Sequence, residues 1–255
     1  DDYCVDSVGG NDANNGQFPS NCWQTLKGIS DNQTTPPGTR HALIAGDVVW
    51  VKNGTYNSIF SGTDGLCGNN VLCLKNRAGT SSDPIKIRAW PGHAPVLDHT
   101  GSNNDEVFTV ENSTHVQLIG LKFSASGIYV TGSVTGFRLY DTSIYDRDCV
   151  AANNCACTNM ALSGASNIDI GWNEMRDRYD RGLPSNENNA LISTFEGCTD
   201  IRIHHNRMSY TTGGTGTPLK SQKHLQSNCY DAHELDHNIL IRGWAGSNGP
   251  APLKF

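Results

Sequence analysis

The chain has 255 residues, a formal net charge of −6, 36% hydrophobic residues and 27 glycines. Asparagine is abundant and helix-favouring runs are missing, so the composition favours strands and turns. Without a basic block we expect no nucleic-acid-binding surface, and without an apolar run near ~20 residues we expect no membrane span.

Nine cysteines predict disulfides and an oxidising compartment. The sequence starts at Asp1 without a signal peptide, as a processed secreted chain would, so we expect the protein to be secreted or extracellular. Proximity along the chain favours four bridges, with one cysteine left over: Cys4 with Cys22, Cys67 with Cys73, Cys149 with Cys155 or Cys157, and Cys198 with Cys229.

The first residues predict a strand at Tyr3–Asp6, followed by a turn-rich loop from Gly9 to Gly16. Side-chain oxygens of Asp6, Asn11 and Asp12 could hold calcium, the one cofactor that the sequence suggests. The alternative is that these oxygens close Asx-turns within the loop.

The segment Cys22–Ser30 carries Trp23, Leu26 and Ile29 at helical spacing. It predicts one short amphipathic helix that covers the open end of the following structure.

Strands are predicted from Gly46 onward, at Val48–Lys52, Gly54–Tyr56, Val71–Lys75, Pro84–Trp90 and Pro95–Leu97. Within residues 3–98, the stretches YCVDSVGGNDANNGQ, WQTLKGI, AGDVVWVKNGTY and PIKIRAWPGHAPVLD resemble the opening of right-handed parallel β-helix proteins related to secreted polysaccharide lyases. The resemblance implies a β-helix whose N-terminal end is capped by a helix.

The rest of the chain repeats one pattern of two strands per coil. The first strands are predicted at Val107–Val110, Gly127–Val130, Asn159–Leu162, Asn189–Ile192, Thr217–Lys220 and Ala251–Lys254. The second strands are predicted at His115–Phe123, Gly136–Ile144, Asn167–Met175, Asp200–Met208 and His233–Leu240. A period of roughly 20 to 50 residues is typical of stacked repeats, and the spacing seen here falls in that range.

Three asparagines share one place in this repeat, namely Asn173, Asn206 and Asn238, and Thr142 holds the place one coil earlier. Parallel strands stacked at ~4.8 Å would align these amides in a ladder, each bonding the next coil. The sequence therefore predicts an all-β right-handed parallel β-helix, a solenoid, with a short N-terminal capping helix.

We predict two regions, with residues 1–45 forming the N-terminal strand, helix cap and loop, and residues 46–255 forming the coils. The chain stops in what is predicted to be the first strand of a coil. We therefore expect the C-terminal end to be covered by further chain or by a partner, because an open solenoid end exposes apolar rungs and unpaired edges.

Lys220 is the first catalytic candidate, and Arg242 follows it in the next predicted coil. Several β-helix lyase families resemble this arrangement, in which a lysine takes a proton next to a uronate carboxylate and an arginine neutralises that carboxylate. The acidic calcium ligands that precede the lysine in alginate- and chondroitin-type lyases are missing from Gly213–Pro218. His224 completes the catalytic set, and Lys223, Lys254 and Trp244 are the substrate-binding candidates.

Five histidines lie close together in the last part of the chain: His204, His205, His224, His233 and His237. His205 and His237 share one repeat position, which Trp172 occupies one coil earlier. Stacked imidazoles could ligate a metal or act as acid or base, or the rings could simply fill one column.

Acidic residues form a third set, around one turn and in the long loop from Arg176 to Asn188. They are Asp141, Asp146, Asp148, Asp177, Asp180 and Glu187. Paired carboxylates could hydrolyse glycosides or bind calcium, whereas the interleaved Arg176, Arg178 and Arg181 favour a salt-bridged loop.

Two functions follow from these observations. The first is a secreted carbohydrate-active protein, a polysaccharide lyase that cleaves uronate-containing polysaccharide by β-elimination. The alternative is a non-catalytic extracellular structural, fibre or adhesin module, because a fold alone does not fix a function.

Overall fold

The computed structural model describes residues 1–31, 41–58, 70–99, 107–124, 127–145, 158–178, 189–195, 197–211, 222–227, 233–241 and 253–254. The first half of the chain contains β1 (Asp2–Val5), β2 (Val48–Val51), β3 (Thr55–Tyr56), β4 (Leu72–Lys75), β5 (Ile85–Ala89), β6 (Val96–Asp98), β7 (Phe108–Glu111), β8 (Val116–Ile119), β9 (Lys122–Ser124), β10 (Ile128–Thr131) and β11 (Val134–Thr135). The second half contains β12 (Arg138–Tyr140), β13 (Ser143–Tyr145), β14 (Thr158–Leu162), β15 (Ala165–Gly171), β16 (Glu174–Arg178), β17 (Asn189–Thr194), β18 (Thr199–His204), β19 (Arg207–Thr211), β20 (Gln222–Ser227), β21 (His233–Asp236), β22 (Ile239–Ile241) and β23 (Leu253–Lys254).

Among the described residues the strands form three sheets. Sheet I has the order β1-β2-β5-β8-β12-β15-β18-β21, with β11 also paired to β15. Sheet II has the order β3-β6-β9-β13-β16-β19-β22, and sheet III has the order β4-β7-β10-β14-β17-β20-β23. The strand pairs in all three sheets are parallel. From β2 onward the chain visits the sheets in turn, so the predicted parallel β-helix is confirmed.

The core runs through the middle of the solenoid. Along each strand alternate side chains face inward, and like positions of successive coils are in register. In sheet I this gives a continuous inner column of buried aliphatic side chains, namely Val49, Ile87, Leu118, Leu139, Ile170 and Ile203.

The predicted amide ladder is confirmed at the turn between sheets I and II. Asn206 Nδ2 donates to the Ile170 carbonyl at 2.8 Å and to Asn238 Oδ1 at 3.0 Å. Asn206 Oδ1 accepts from the Asn173 backbone N–H at 2.9 Å, and Asn173 Oδ1 accepts from the Thr142 N–H at 3.0 Å. These turns also divide each long second strand predicted from the sequence into two strands, because the ladder residue bends the chain from sheet I into sheet II.

The N-terminal capping helix is much shorter than predicted. Instead of spanning Cys22–Ser30, it is one 3-10 turn, Leu26–Gly28, whose N-cap is Thr25. The residues before it stay extended because the Trp23 N–H donates to the Cys4 carbonyl at 3.0 Å. Asp12 then accepts from the N–H groups of Gln24 and Thr25, which removes them from helical pairing.

Trp23 anchors this end of the solenoid. Its side chain is buried and stacks on Tyr3 at 5.6 Å between ring centroids. A Cβ added at Gly16 or at Gly28 would lie 2.3 Å from the indole, so both glycines are required for the close approach. The predicted packing of Trp23, Leu26 and Ile29 is therefore formed without the full helix, since all three are buried.

One predicted disulfide is confirmed, and the others involve cysteines outside the described residues. Cys4 and Cys22 form a disulfide, and Cys73 is also disulfide-bonded, although its predicted partner Cys67 lies outside the described residues. Cys198 Sγ lies 3.4 Å from the Leu162 carbonyl of the preceding coil, and its predicted partner Cys229 lies outside the described residues. Within the described residues no helix is long and apolar enough to cross a bilayer.

The strand register observed in sheet III differs from the predicted one at β20. The sequence pattern placed Thr217–Lys220 beside Asn189–Ile192. In the structure Asn189 pairs with Gln222 instead, and Thr217–Lys220 lies outside the described strand.

The same correction applies to the last strand. Leu253 pairs with Leu225 and Lys254 with Gln226, so Lys254 does not align with Lys220. The backbone register continues the line from Ile192 through Leu225 to Leu253.

Replacing Asn206 by alanine should destabilise the fold by about 2–4 kcal/mol, because the buried Asn173 N–H and the Ile170 carbonyl both lose a partner. Urea unfolding followed by circular dichroism measures the change. Arg207→Ala, at the exposed neighbouring residue, should change stability by less than about 0.5 kcal/mol. Equal effects of the two substitutions would contradict the role given to the ladder.

Candidate functional site

One residue per coil adopts a left-handed conformation immediately before the ladder position. The φ angles are +50° at Asp141, +56° at Trp172, +54° at His205 and +48° at His237. A bulky residue with positive φ is strained and persists only where the surroundings fix it, as the buried amides do here. All four side chains are exposed, so the ladder turns present them on the outside of the solenoid.

Three of these side chains form a stack, which we name the ring column: Trp172, His205 and His237. The rings of Trp172 and His205 have centroids 5.3 Å apart and an interplanar angle of 20°. Those of His205 and His237 are 4.8 Å and 14° apart. Trp172 is 54% exposed, so its face and edge remain accessible at one end of the column.

A buried histidine pairs with a carboxylate beside the ring column. His204 Nε2 lies 2.7 Å from Asp169 Oδ1, and the His204 side chain is only 2% exposed. The imidazole passes over Gly171, where an added Cβ would lie 2.4 Å from it. The absence of a side chain at Gly171 therefore allows His204 to reach Asp169 in the preceding coil.

Tyr140 holds the other oxygen of Asp169. Its hydroxyl donates to Asp169 Oδ2 at 2.9 Å. Burial, with the hydrogen bond to Asp169 and the charge of that carboxylate, raises the pKa of Tyr140 to about 12. Tyr140 is therefore a protonated donor at neutral pH and fixes the Asp169 carboxylate in place.

His204 also links Asp169 to the ring column. Its Nδ1 lies 3.0 Å from Nδ1 of His205. Its ring meets that of Trp172 edge to face, with centroids 4.5 Å apart. Tyr140, Asp169, His204 and His205 thus form one network that crosses three coils.

Asp236 and His237 continue this network into the last described coil of sheet I. His237 Nδ1 contacts Asp236 Oδ1. That hydrogen bond, with the charges of His237, His205 and Arg202, holds the pKa of Asp236 below its ordinary value. Arg202 lies 3.9 Å from Asp236 and 3.3 Å from Glu234, so the carboxylates on this face are partly neutralised.

This arrangement brings together groups that can carry chemistry. Imidazoles next to carboxylates can accept or donate protons near neutral pH or ligate a metal ion. An exposed indole offers an apolar face with a polar edge, which suits amphipathic ligands. The ring column and its network are therefore the candidate functional site of the described part of the chain.

The described structure does not bring the predicted catalytic and substrate-binding residues into this site. Lys220, Arg242 and Trp244 lie outside the described residues. The backbones of Lys223 and His224 lie on β20, and that of Lys254 lies on β23, both in sheet III. Their assigned roles stay predictions.

The predicted calcium ligands already have other partners. Asp6 Oδ1 accepts from the N–H groups of Val8 and Gly9, and its Oδ2 lies 3.0 Å from Lys52 Nζ. These bonds, led by that from Gly9, lower the pKa of Asp6.

The other two predicted ligands show the same pattern. Asp12 accepts three hydrogen bonds from Gln24 and Thr25, and Asn11 Oδ1 accepts from the Ala13 N–H. The oxygens therefore close turns and do not converge on a common cation. Calcium stays a prediction that this loop geometry does not support.

The structure separates the predicted histidine cluster. His204, His205 and His237 come together, whereas His224 lies on sheet III and His233 begins β21. Of the predicted acidic set, Asp141 precedes the ladder residue Thr142, and Asp177 lies on β16. Asp146, Asp148, Asp180 and Glu187 lie outside the described residues.

Sequence reasoning missed Tyr140, Asp169 and Asp236. Tyr140 and Asp236 share one repeat position with Gly171 and His204, but the residue type changes from coil to coil, and Asp169 meets His204 diagonally across 35 residues. The available signal was Gly171, since a glycine inside a strand marks a close approach by another group. Asp169 precedes it by two residues and so shares its face of the strand.

Comparisons with known proteins bear on the fold. No protein-family model matches the chain, and no curated protein matches it significantly. A rhamnogalacturonan lyase structure is similar, with a TM-score of 0.58, 14% identity, and coverage of 94% of this chain and 68% of that one. A GH136 lacto-N-biosidase from Eubacterium ramulus has a TM-score of 0.51 at 14% identity, and the match covers 94% of this chain and 56% of that one. The resemblance to β-helix proteins related to polysaccharide lyases is thereby confirmed for the fold.

Asp169→Ala should let His204 exchange between its two neutral tautomers, because the Asp169 carboxylate is the acceptor that keeps the proton on Nε2. Long-range ¹H–¹⁵N correlation spectra should show one protonated Nε2 in the wild type and exchanging tautomers in the variant. The loss of this buried hydrogen bond should also lower the free energy of unfolding by about 1–3 kcal/mol.

Tyr140→Phe is the matched comparison, since it leaves the contact between Asp169 Oδ1 and His204 in place and should keep the Nε2-protonated tautomer. Lys86→Ala, on the same outer column of sheet I, should change neither quantity. An unchanged tautomer in Asp169→Ala would show that the carboxylate does not orient His204.

Proposed function

We propose that the protein is an extracellular carbohydrate-active β-helix protein that binds an acidic polysaccharide along its side and cleaves it by β-elimination. One observation carries the proposal. The segments containing Lys220 and Arg242 each join a strand of sheet II to the next strand of sheet III, β19 to β20 and β22 to β23. β19 pairs with β22 and β20 with β23, so the strands that flank Lys220 in the sequence are the neighbours of those that flank Arg242.

The charge distribution supports an acidic substrate. The chain is acidic overall, so a polyanion needs a local basic surface to bind. Lys220 and Lys223 follow β19 in the sequence, and Arg242 and Lys254 follow β22. Lys223 and Lys254 belong to β20 and β23, which are neighbouring strands of sheet III.

The proposed reaction needs a base and a neutralising cation. Lys220 removes the proton on the carbon next to the uronate carboxylate, and Arg242 neutralises that carboxylate, which makes the proton acidic. The electron pair forms a carbon–carbon double bond as the glycosidic carbon–oxygen bond breaks. His224 is the proposed donor of the proton that the leaving oxygen takes up. No metal ion is given a role in these steps.

Two further observations support the proposal. One structural neighbour is named a rhamnogalacturonan lyase and another a lacto-N-biosidase, so the solenoid shape is compatible with carbohydrate chemistry. The Cys4–Cys22 disulfide and the disulfide-bonded Cys73 suit an oxidising, extracellular compartment.

Incubation with pectate, rhamnogalacturonan, alginate and glycosaminoglycans should yield an unsaturated uronate product from at least one of them, detected by its ultraviolet absorption. Lys220→Ala should lower the rate by about 100-fold or more, because it removes the base. Arg242→Ala should lower it as well, since the carboxylate then keeps its charge.

Lys122→Ala is the matched control, because this lysine lies on β9, three coils earlier, and should leave the rate unchanged. Equal rates for wild type and Lys220→Ala would remove the catalytic assignment. If every substrate stays intact and none binds, the non-catalytic extracellular module becomes the better description.

A further inference from the structure

The second half of the ring column brings together three groups that commonly bind metal ions. His205, Asp236 and His237 each offer one ligand atom, and within the described residues these atoms lie within 4.8 Å of one another. Both imidazoles are exposed and Asp236 is partly exposed, so an ion can reach them from solvent. The three residues come from two consecutive turns whose spacing is fixed by the Asn206–Asn238 contact.

The hydrogen-bond network determines which ring nitrogens carry protons. Asp169 accepts from His204 at Nε2, which leaves a lone pair on His204 Nδ1. His205 Nδ1 is 3.0 Å from that lone pair and therefore carries the proton between them. The lone pair of the neutral His205 ring is consequently on Nε2.

Asp236 acts on His237 in the same way. It contacts Nδ1 of His237, so this nitrogen carries the proton and Nε2 of the neutral ring keeps its lone pair. Both stacked histidines are thus held in the tautomer that leaves Nε2 available. Histidines that ligate metals generally donate their other ring N–H to a carboxylate or a comparable acceptor, and both do so here.

We propose that His205 and His237, each through Nε2, form a binding site for a divalent transition-metal ion of the zinc class, with Asp236 fixing the tautomer of His237. Imidazole nitrogens are ordinary zinc ligands. Two Nε2 ligands at bond lengths of about 2.1 Å in a tetrahedral site lie closer together than the stacked rings do, so the exposed rings tilt toward each other on binding. Water or an anionic ligand completes the coordination.

Asp169 and His204 are positioning residues in this site. They lie behind His205 and fix its tautomer without contacting the ion. Arg202 also belongs to the surroundings, because it lies 3.9 Å from Asp236, but Glu234 lies 3.3 Å from it and offsets its charge. A site prepared by buried groups in this way differs from scattered surface histidines, which lack such support.

Isothermal titration of the untagged full chain with ZnCl₂ tests the proposal. We expect one ion per chain with a dissociation constant in the micromolar range or tighter. His205→Ala and His237→Ala should each weaken binding by about 100-fold, and Asp169→Asn by about 10-fold through its effect on the His205 tautomer. His93→Ala, at a partly buried ring near the other end of the solenoid, should bind like the wild type.

Cobalt substitution provides a readout that is independent of catalysis. Co²⁺ in the wild-type protein should show the visible absorption of a four-coordinate site, and His237→Ala should not. Any alanine variant that loses cooperative unfolding is replaced by its glutamine counterpart. Binding only at millimolar zinc, or equal affinity in His205→Ala and His93→Ala, would overturn the proposal. Neither outcome depends on polysaccharide cleavage, so the two proposals fail separately.

Discussion

The structure depends on one constraint, which is that every coil must end its turn in register with the coil before it. At the turn between sheets I and II, buried asparagine amides meet this requirement by bonding both to the neighbouring amide and to a backbone carbonyl. An amide left unpaired in the interior would cost more than a surface hydrogen bond gains. Successive coils are therefore held at one spacing along this edge.

The ring column is a direct consequence of this ladder. Each ladder residue is preceded by a left-handed residue whose side chain must point outward, so whatever occupies that position is stacked on its counterpart in the next coil. Trp172, His205 and His237 are each a full coil apart in sequence but contact one another in space. The ladder turns, which fix the spacing between coils, therefore also form an exposed surface of aromatic and imidazole rings.

The two proposals involve different parts of the chain. The ring column lies at the turn that leads from sheet I to sheet II, whereas Lys220 and Arg242 belong to connections from sheet II to sheet III. Connections on a regular scaffold tolerate variation in length, which is why repeat proteins place binding groups there. The short ladder turns allow no such variation, and their side chains are correspondingly well positioned.

The sequence alone determined the architecture, because hydrophobic alternation and the spacing of Asn173, Asn206 and Asn238 are local patterns that survive in any stacked arrangement. It also identified the shared position of Trp172, His205 and His237. It did not determine the register of β20 or the length of the N-terminal helix, since the pairing of β20 with β17 and the Asp12 contacts are settled between segments distant in sequence. Only the tertiary structure joined Tyr140 and Asp169 to His204, because a diagonal contact over Gly171 has no period in the sequence, and it exists only when neighbouring coils are packed together.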